Sequence, residues 1–269
     1  MAQSDLRDEI ASHLWYHTME LAPGIVTPGW FDLRPILHKM PWPDVAGKRC
    51  LDVGTYDGFL AFEMERRGAA EVIAIDIDDH TLWDWPPDVR ATGGENLAKL
   101  AGPEKGRGFR IAAAALGSKV ERRPISVYDL TPELVGRFDV VTCGSLMLHL
   151  RDPIRALEAI RSVCAGQFLS AEEIDLLLTI QHRGRPYLRL NGSGELCQWF
   201  TASAAGHRRM VFAAGFQIER STRPYAIPFG VSHPARNRTP RMLFHSMLRR
   251  FAAGGDGVPH AAVLARPRV

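Results

Sequence analysis

The feature that most constrains the fold is the segment of residues 49–79, RCLDVGTYDGFLAFEMERRGAAEVIAIDIDD. An apolar run ends in Asp52-Val53-Gly54, a tight loop reaches Gly58, and an amphipathic stretch follows. A second apolar run, residues 72–75, stops at Asp76. This order predicts a strand, a glycine loop, a helix, a second strand and an acid. Such a unit places a nucleoside at the carboxyl edge of a parallel sheet, where the acid can bind the ribose hydroxyls.

The spacing of the loop separates two classes of nucleoside ligand. A dinucleotide fingerprint needs G-x-G-x-x-G, so that a pyrophosphate can lie on the helix amino terminus. Here the pattern is D-V-G-T-Y-D-G, with acids on both sides of the first glycine. Carboxylates repel a pyrophosphate but attract a sulfonium and an ammonium group, which favours S-adenosyl-L-methionine. The loop resembles the glycine motif of class I methyltransferases, with Tyr56 at the position of the middle glycine.

The segments that follow predict further strands and helices in alternation. Residues 120–130 are expected to form a strand ending at Tyr128-Asp129, although Asp129 could instead cap a helix before Pro132. Residues 138–148 form a buried strand and its exit, and Asp152-Pro153 opens a helix. A further strand begins at residues 167–170 and exits at Glu172-Glu173. We therefore expect an α/β fold with a doubly wound, mostly parallel seven-stranded sheet, an N-terminal helical extension and a C-terminal insertion.

The flanks of this unit suggest the domain boundaries. Residues 1–45 are expected to form a helical cap, with an amphipathic helix over residues 4–21. Residues 46–225 form the cofactor-binding domain, in which residues 176–210 are an insertion on the acceptor side, with a flexible loop at residues 192–194. The Arg- and Pro-rich residues 226–269 are interpreted as a lid or an interface.

Composition limits the class of protein. A chain of 269 residues with 46% apolar content can bury a sizeable core in one domain with attachments. It has no apolar run of 18 residues and its start lacks the apolar region of a signal peptide, so neither a membrane span nor a secretory signal is expected. Four scattered cysteines favour free thiols in a reducing cytoplasm, and no cluster has metal-ligand spacing.

Positive charge is concentrated in residues 180–250, which hold 12 Arg, no Lys and two Glu. A basic region of this kind can attract a phosphate, a carboxylate or a nucleic acid. The alternative is an arginine-rich solvated face without a ligand, and the lack of Lys there supports it. The sequence leaves both interpretations open.

A closer resemblance depends on three motifs: T-P-G-W-F-D-L-R, L-D-V-G-T-Y-D-G and L-x-L-H-L-R-D-P. Together they are similar to the subgroup around the tRNA wobble-uridine carboxymethyltransferases, over roughly residues 15–180. Those enzymes use a lysine in the segment that corresponds to Leu21–Gly24 and a tyrosine directly before the histidine. This chain has no lysine there and has Leu148 before His149. The tRNA enzymes bind a cofactor that carries an extra carboxylate. In this chain that carboxylate would go unpaired, so transfer of a plain methyl group is favoured.

The motif and the resemblance together predict a cofactor site. The expected cofactor-binding residues are Trp30, Asp52, Gly54, Thr55, Gly58, Asp76, Ile77, Asp78, Tyr128, Asp129 and Gly144. Catalytic candidates follow the strands whose ends face the transfer point. His149 is the first choice as general base, with a purely structural histidine as the alternative. Glu172 and Glu173 alternate in direction, so only one of them can point into the site, and His17 and His207 are further candidates.

The leading function is therefore an S-adenosyl-L-methionine-dependent methyltransferase acting on a small-molecule acceptor, most simply by O-methylation of a natural product or a sugar-type metabolite. The arginines would suit an anionic acceptor, and the chain could form a homodimer. Two alternatives stay open: a transferase that modifies the tRNA wobble uridine, and a non-catalytic subunit that binds the cofactor. No metal is expected to take part.

Overall fold

The computed structural model describes residues 3–101, 105–191, 197–234 and 249–268. The helices are α1 Gln3–Ala11, α2 Phe59–Arg66, α3 Pro87–Arg90, α4 Gly94–Ala101, α5 Arg107–Leu116, α6 Pro132–Val135, α7 Pro153–Val163, α8 Leu176–Gln181 and α9 Ala204–Ala213. The strands are β1 Glu20–Ala22, β2 Ile25–Val26, β3 Arg49–Val53, β4 Glu71–Ile75, β5 Glu121–Arg123, β6 Phe138–Gly144, β7 Cys164–Glu173, β8 Leu188–Leu190, β9 Phe200–Ala202, β10 Phe216–Ser221, β11 Tyr225–Ile227 and β12 Val258–Pro267. Short 3₁₀ helices span Arg34–Lys39, His80–Leu82, Val127–Asp129 and Met147–His149.

The central sheet has the strand order β10-β12-β7-β6-β3-β4-β5, with β11 added beside β12. β3 pairs in parallel with β4 on one side and with β6 on the other. The chain therefore winds outward through β4 and β5, then returns to β6 and winds the other way. Ligands of such sheets bind beyond the strand ends at the point of reversal, which here lies between β3 and β6. The predicted doubly wound α/β fold is confirmed.

The last strand corrects the domain boundary that was expected at residue 225. β12 lies inside the sheet, antiparallel to β7 on one side and to β10 and β11 on the other. Residues 258–267 therefore complete the core instead of forming a detached lid, because their run VPHAAVLARP is apolar enough to be buried on both faces. The expected loop at residues 192–194 and residues 235–248 of the Arg-rich segment lie outside the described residues.

The two faces of the sheet bury different helices, as the alternation of side chains requires. Cys50 of β3 packs into an apolar cluster with residues of α2 and α5. Its neighbour Leu51 packs into a second cluster with residues of α7 and α9. Both clusters continue onto β12, through Ala262 on one face and Val263 on the other. The core thus holds the strand ends of β3, β6, β7 and β12 in fixed positions.

Two predicted elements are shorter than the sequence suggested. The helix expected over residues 4–21 ends at Ala11, because the amides of Tyr16 and His17 are bound by a carboxylate of the glycine loop and the chain there runs extended. The strand expected over residues 120–130 ends at Arg123, because Pro124 has no amide hydrogen to continue the ladder. Tyr128 and Asp129 therefore lie on a 3₁₀ helix.

Among the described residues, no helix is both long and apolar enough to cross a membrane. The same residues contain no group of three or more His, Cys, Asp or Glu side chains placed to hold a metal ion.

Candidate active site

The glycine loop is fastened to the neighbouring strand by its own backbone. Gly54 has φ of 74° and donates its amide to the Ile75 carbonyl at 2.9 Å, and Thr55 donates to the same carbonyl at 3.1 Å. Tyr56 has φ of 48°, in the left-handed region that favours glycine. This conformation is one that glycine adopts most easily, and Tyr56 adopts it here.

Asp76 closes the loop from the end of β4. Its Oδ2 accepts the Tyr56 amide at 2.8 Å and its Oδ1 accepts the Ile77 amide at 2.8 Å. The Lys105 ammonium lies 3.5 Å from Oδ1, and 4.4 Å and 4.3 Å from the ring centres of Tyr56 and Trp83. A cation is therefore already held between two rings beside the carboxylate, which shows that this corner of the site suits positive charge.

Asp57 joins the glycine loop to the N-terminal extension. Its buried carboxylate accepts the amide of Tyr16 at 2.7 Å and the amide of His17 at 3.0 Å. Burial raises the pKa of Asp57 to about 7, while the two amide hydrogen bonds act to lower it. The residue holds the extension against the cofactor loop, a role that the motif alone does not reveal.

Asp52 lies near the end of β3, directly before the glycine loop. Its Oδ1 accepts a hydrogen bond from the Thr142 hydroxyl of β6 at 2.7 Å. Burial raises the pKa of Asp52 to about 6, against the lowering effect of the Thr142 bond. This carboxylate lines a cavity that opens to solvent beside the sheet edge.

Three parts of the chain build this cavity. The sheet edge contributes Asp52, Gly54 and Thr55 after β3, Gly144 and Ser145 after β6, and Glu173 at the end of β7. The N-terminal extension covers this edge with rings and apolar side chains, among them Tyr16, His17, Phe31, Leu33 and Met40. The C-terminal part closes the far side with Tyr225, Ile227 and His260. Residues that are far apart in the sequence thus meet in one space beside the glycine loop.

The polar groups of the cavity gather around β12. His260 pairs directly with Glu173 of β7 and with Tyr225 of β11, so the three side chains belong to neighbouring positions of one sheet. Ser145 has φ of 51° and its Oγ lies 2.8 Å from Nε2 of His260. The Tyr225 hydroxyl is buried and has no hydrogen-bond partner among the described residues, so it is available to a ligand.

Sequence reasoning missed Tyr16, Ser145, Tyr225 and His260. The run VPHAAVLARP carried a usable signal, since it has the composition of a fully buried strand with one polar residue near its start. Its position after an Arg-rich segment concealed it. Ser145 follows the predicted strand directly and could have been found by its place at the sheet edge.

Several predicted cofactor residues do not line the cavity. Trp30 has its ring 6.4 Å from the Tyr16 ring but does not line the cavity, and the next residue, Phe31, lines it instead. Gly58 begins α2 with φ of 94° and has no room for a Cβ, which would lie 2.4 Å from the Phe62 ring. Both residues support the site without forming its wall.

The predicted adenine-side residues lie beyond β4 and β5. The Asp78 carboxylate is paired with Arg122 at 2.7 Å. The Tyr128 hydroxyl donates to Asp84 at 2.6 Å, and Asp129 is exposed on its 3₁₀ helix. None of these three side chains lines the cavity.

The structure separates the catalytic candidates. Nδ1 of His149 lies 3.0 Å from the Cys197 carbonyl and His149 does not line the cavity, so its role as a general base stays a prediction. The buried Glu172 accepts the Met147 amide at 3.1 Å and holds the turn after β6. Glu173 alone of the two glutamates lines the cavity, as the alternation predicted. His17 also lines the cavity. His207, on α9, is buried with its Nε2 2.8 Å from the Ser170 hydroxyl of β7.

Comparison with known proteins gives a consistent result. Residues 32–221 match the family model of the methyltransferase domain. The chain is 31% identical over 191 residues to a ubiquinone biosynthesis O-methyltransferase of Dechloromonas aromatica, covering 70% of this chain and 66% of that protein. It is 33% identical over 147 residues to the Acinetobacter baylyi protein of the same name, covering 50% of this chain and 52% of that one. The chain thus spans between about half and two thirds of these relatives.

The fold is shared with a solved structure as well. A putative S-adenosylmethionine-dependent methyltransferase from Listeria monocytogenes superposes with a TM-score of 0.53 at 15% identity, covering 87% of this chain and 97% of that one. At this identity the similarity concerns the arrangement of strands and helices alone.

Proposed function

The chain belongs to the methyltransferase-domain family, and from that premise we propose that it transfers a methyl group from S-adenosyl-L-methionine to a hydroxyl oxygen of a small molecule. The O-methyltransferases of Dechloromonas and Acinetobacter support oxygen as the acceptor atom, through the half to two thirds of their length that this chain matches. The observation that carries the proposal is the direct opening of the glycine loop into a ring-lined cavity at the switch point of the sheet.

The residues present fit a cationic adenosine derivative. Asp76 offers a carboxylate at the end of β4, where this fold binds ribose hydroxyls, and Lys105 would share or leave that carboxylate. The left-handed backbone of Gly54 and Tyr56 lets the loop approach a ligand closely. When bound, S-adenosyl-L-methionine supplies an activated methyl group on a sulfonium. The remaining contacts that we propose are the predicted set: Trp30, Asp52, Thr55, Gly58, Ile77, Asp78, Tyr128, Asp129 and Gly144.

The cavity wall favours a neutral acceptor over an anionic one. Its described residues include two carboxylates, Asp52 and Glu173, and no Lys or Arg. Burial raises the pKa of Glu173 to about 7, with Arg249 and Arg189 acting to lower it, so this carboxyl is partly neutral at physiological pH. Among the described lining residues an acceptor anion would meet no Lys or Arg side chain, and its desolvation would be costly. Aromatic and aliphatic side chains cover the rest of the wall.

The protein's own contribution to the transfer is positional. The extension held by Asp57 covers the sheet edge with rings and apolar side chains, which would limit the access of water to a bound acceptor. Fixing donor and acceptor in line can supply several kcal/mol of the barrier reduction, about 7 or more in well-oriented systems. Of the catalytic candidates named from the sequence, we propose that Glu173 orients the acceptor and that Glu172 holds the turn beside it.

Calorimetry followed by turnover tests this proposal. S-adenosylhomocysteine should bind with one site per chain, and NAD⁺ should not bind. Incubation with S-adenosylmethionine and simple phenols should then yield S-adenosylhomocysteine together with a methyl ether identified by mass. Binding without any transfer would support a non-catalytic cofactor-binding subunit instead, and binding of NAD⁺ would contradict the proposal.

An RNA-modifying function is the second candidate, supported by the motif resemblance and by the arginines of residues 180–250. Several of these arginines already have partners: Arg189 pairs with Asp175, and Arg250 with Asp256. If RNA is the acceptor, binding to a tRNA should weaken steeply with salt, because phosphate contacts release counterions. Binding that is weak and insensitive to salt would dismiss this candidate.

A further inference from the structure

The hydrogen bonds of His260 fix the positions of its protons. Nδ1 lies 2.9 Å from the Val258 carbonyl, which can only accept, so Nδ1 carries the ring hydrogen. Nε2 is then an acceptor, and the Ser145 hydroxyl 2.8 Å away must donate to it. The two hydrogen bonds therefore have one direction: Ser145 donates to His260, and His260 donates to the Val258 carbonyl.

This polarity leaves the lone pairs of Ser145 Oγ free to accept a further hydrogen bond. Ser145 and His260 both line the cavity, and Ser145 follows β6, where the sheet edge meets the cofactor loop. The Tyr225 hydroxyl, buried without a partner among the described residues, lies beside His260 across the sheet. A hydroxyl on a ligand could donate to Ser145 and be held by Tyr225.

We propose that Ser145 and His260 form the proton acceptor for the methylated hydroxyl, and that the acceptor is a phenol or another acidic hydroxyl compound. This inference rests on the proposed methyl transfer. The acceptor oxygen bonds to the methyl carbon, and the electron pair of the broken carbon–sulfur bond stays on sulfur, which becomes a neutral thioether. The acceptor proton passes to Ser145 Oγ as the Ser145 proton passes to Nε2 of His260.

The restriction to acidic hydroxyls follows from the environment of His260. Its ring is buried, and burial lowers the pKa of His260 to about 4, against the raising effect of the Val258 carbonyl. The groups that face it are Glu173 on β7, Tyr225 on β11 and Ser145 after β6. His260 also acts electrostatically on His207, and Tyr16 and His17 line the same cavity. Such a weak base assists a phenol, whose pKa is about 10, far better than an alkyl alcohol.

Two probe phenols of different acidity test the role of His260. At pH 8 catechol keeps its proton and needs a base, whereas 4-nitrophenol is largely ionised and does not. Any cost of binding this anion in the cavity is the same in the variants and in the wild type, so each variant is compared with the wild type on the same phenol. His260→Gln should lower kcat for catechol by about 100-fold or more, and for 4-nitrophenol by less than about tenfold. Ser145→Ala should show the same selectivity. S-adenosylhomocysteine should bind both variants as it binds the wild type, measured by calorimetry.

The matched control is His207→Gln, which removes the other Ser–His pair, with Ser170 Oγ at 2.8 Å, outside the cavity. It should lower Tm without changing the ratio of the two phenols. An equal loss for both phenols in His260→Gln, or the selective loss in Glu173→Gln instead, would overturn the assignment. If the wild type binds S-adenosylhomocysteine but methylates neither phenol, the acceptor class is wrong. If it does not bind, the proposed function itself fails.

Discussion

The cofactor loop and the acceptor cavity lie side by side, but they are encoded in different ways. The loop comes from one continuous segment, residues 52–58, closed by Asp76 of the adjacent strand. The cavity is assembled from Tyr16 of the N-terminal extension and from Ser145, Glu173 and His260, which the strand order of the sheet brings together. The difference teaches that a local backbone motif is visible in the sequence, whereas a pocket made by strand order becomes visible only with the topology.

The largest effect is expected where the two regions are joined, at Asp57. Asp57→Ala removes the acceptor of two amides in a buried place, so we expect the free energy of unfolding to fall by about 3 kcal/mol or more. Urea denaturation measures this free energy. Asp57→Asn keeps one acceptor oxygen, so its free energy of unfolding should fall clearly less. Equal losses in the two variants would show that the amide bonds are not what holds the extension.

Asp76 tests the cofactor region by itself. Asp76→Ala should weaken S-adenosylhomocysteine binding by about 1–3 kcal/mol, since a charged hydrogen-bonding group is lost. Calorimetry of this variant beside Asp76→Asn and the wild type gives the order of affinities. Unchanged affinity in Asp76→Ala would remove its proposed ribose role, while loss of folding would show that its bond to the Tyr56 amide dominates.

The pH dependence of stability tests the burial of the acids behind the cavity. Burial raises the pKa of Glu172 to about 8 from its ordinary 4.5. Between these values the folded chain keeps a proton that the unfolded chain has lost, so stability falls as pH rises, by up to about 1.4 kcal/mol per pH unit. Glu172→Gln should flatten this fall between about pH 6.5 and 8, above the range of the histidines. Thermal unfolding across that range measures it, and an unchanged slope would contradict the buried neutral carboxyl.

The smallest effect is expected at His149, whose ring lies outside the cavity. His149→Ala should reduce stability by about 1 kcal/mol through loss of the contact with the Cys197 carbonyl. Its kcat should fall by less than about tenfold, because a true general base contributes 100-fold or more. A loss of 100-fold or more with unchanged folding would restore His149 to the catalytic role that the sequence suggested.

The features that could be predicted from the sequence follow the same division between the glycine loop and the cavity. The fold class, the methyltransferase family and the backbone of the glycine loop could be predicted, because they depend on apolar periodicity and on residues a few positions apart. The place of β12 could not, since its partners β7 and β10 are chosen by tertiary packing. For the same reason the sequence points to His149 and does not reveal His260: proximity to a strand end is visible in a sequence, and the partner across the sheet is not.

A crystal structure with S-adenosylhomocysteine tests the central claim most directly. We expect the ribose to bind Asp76, the sulfur to face the cavity, and Ser145, Tyr225 and His260 to remain open to an acceptor. A ligand bound away from the edge of β3 and β4, or one that fills the space beside His260, would contradict it.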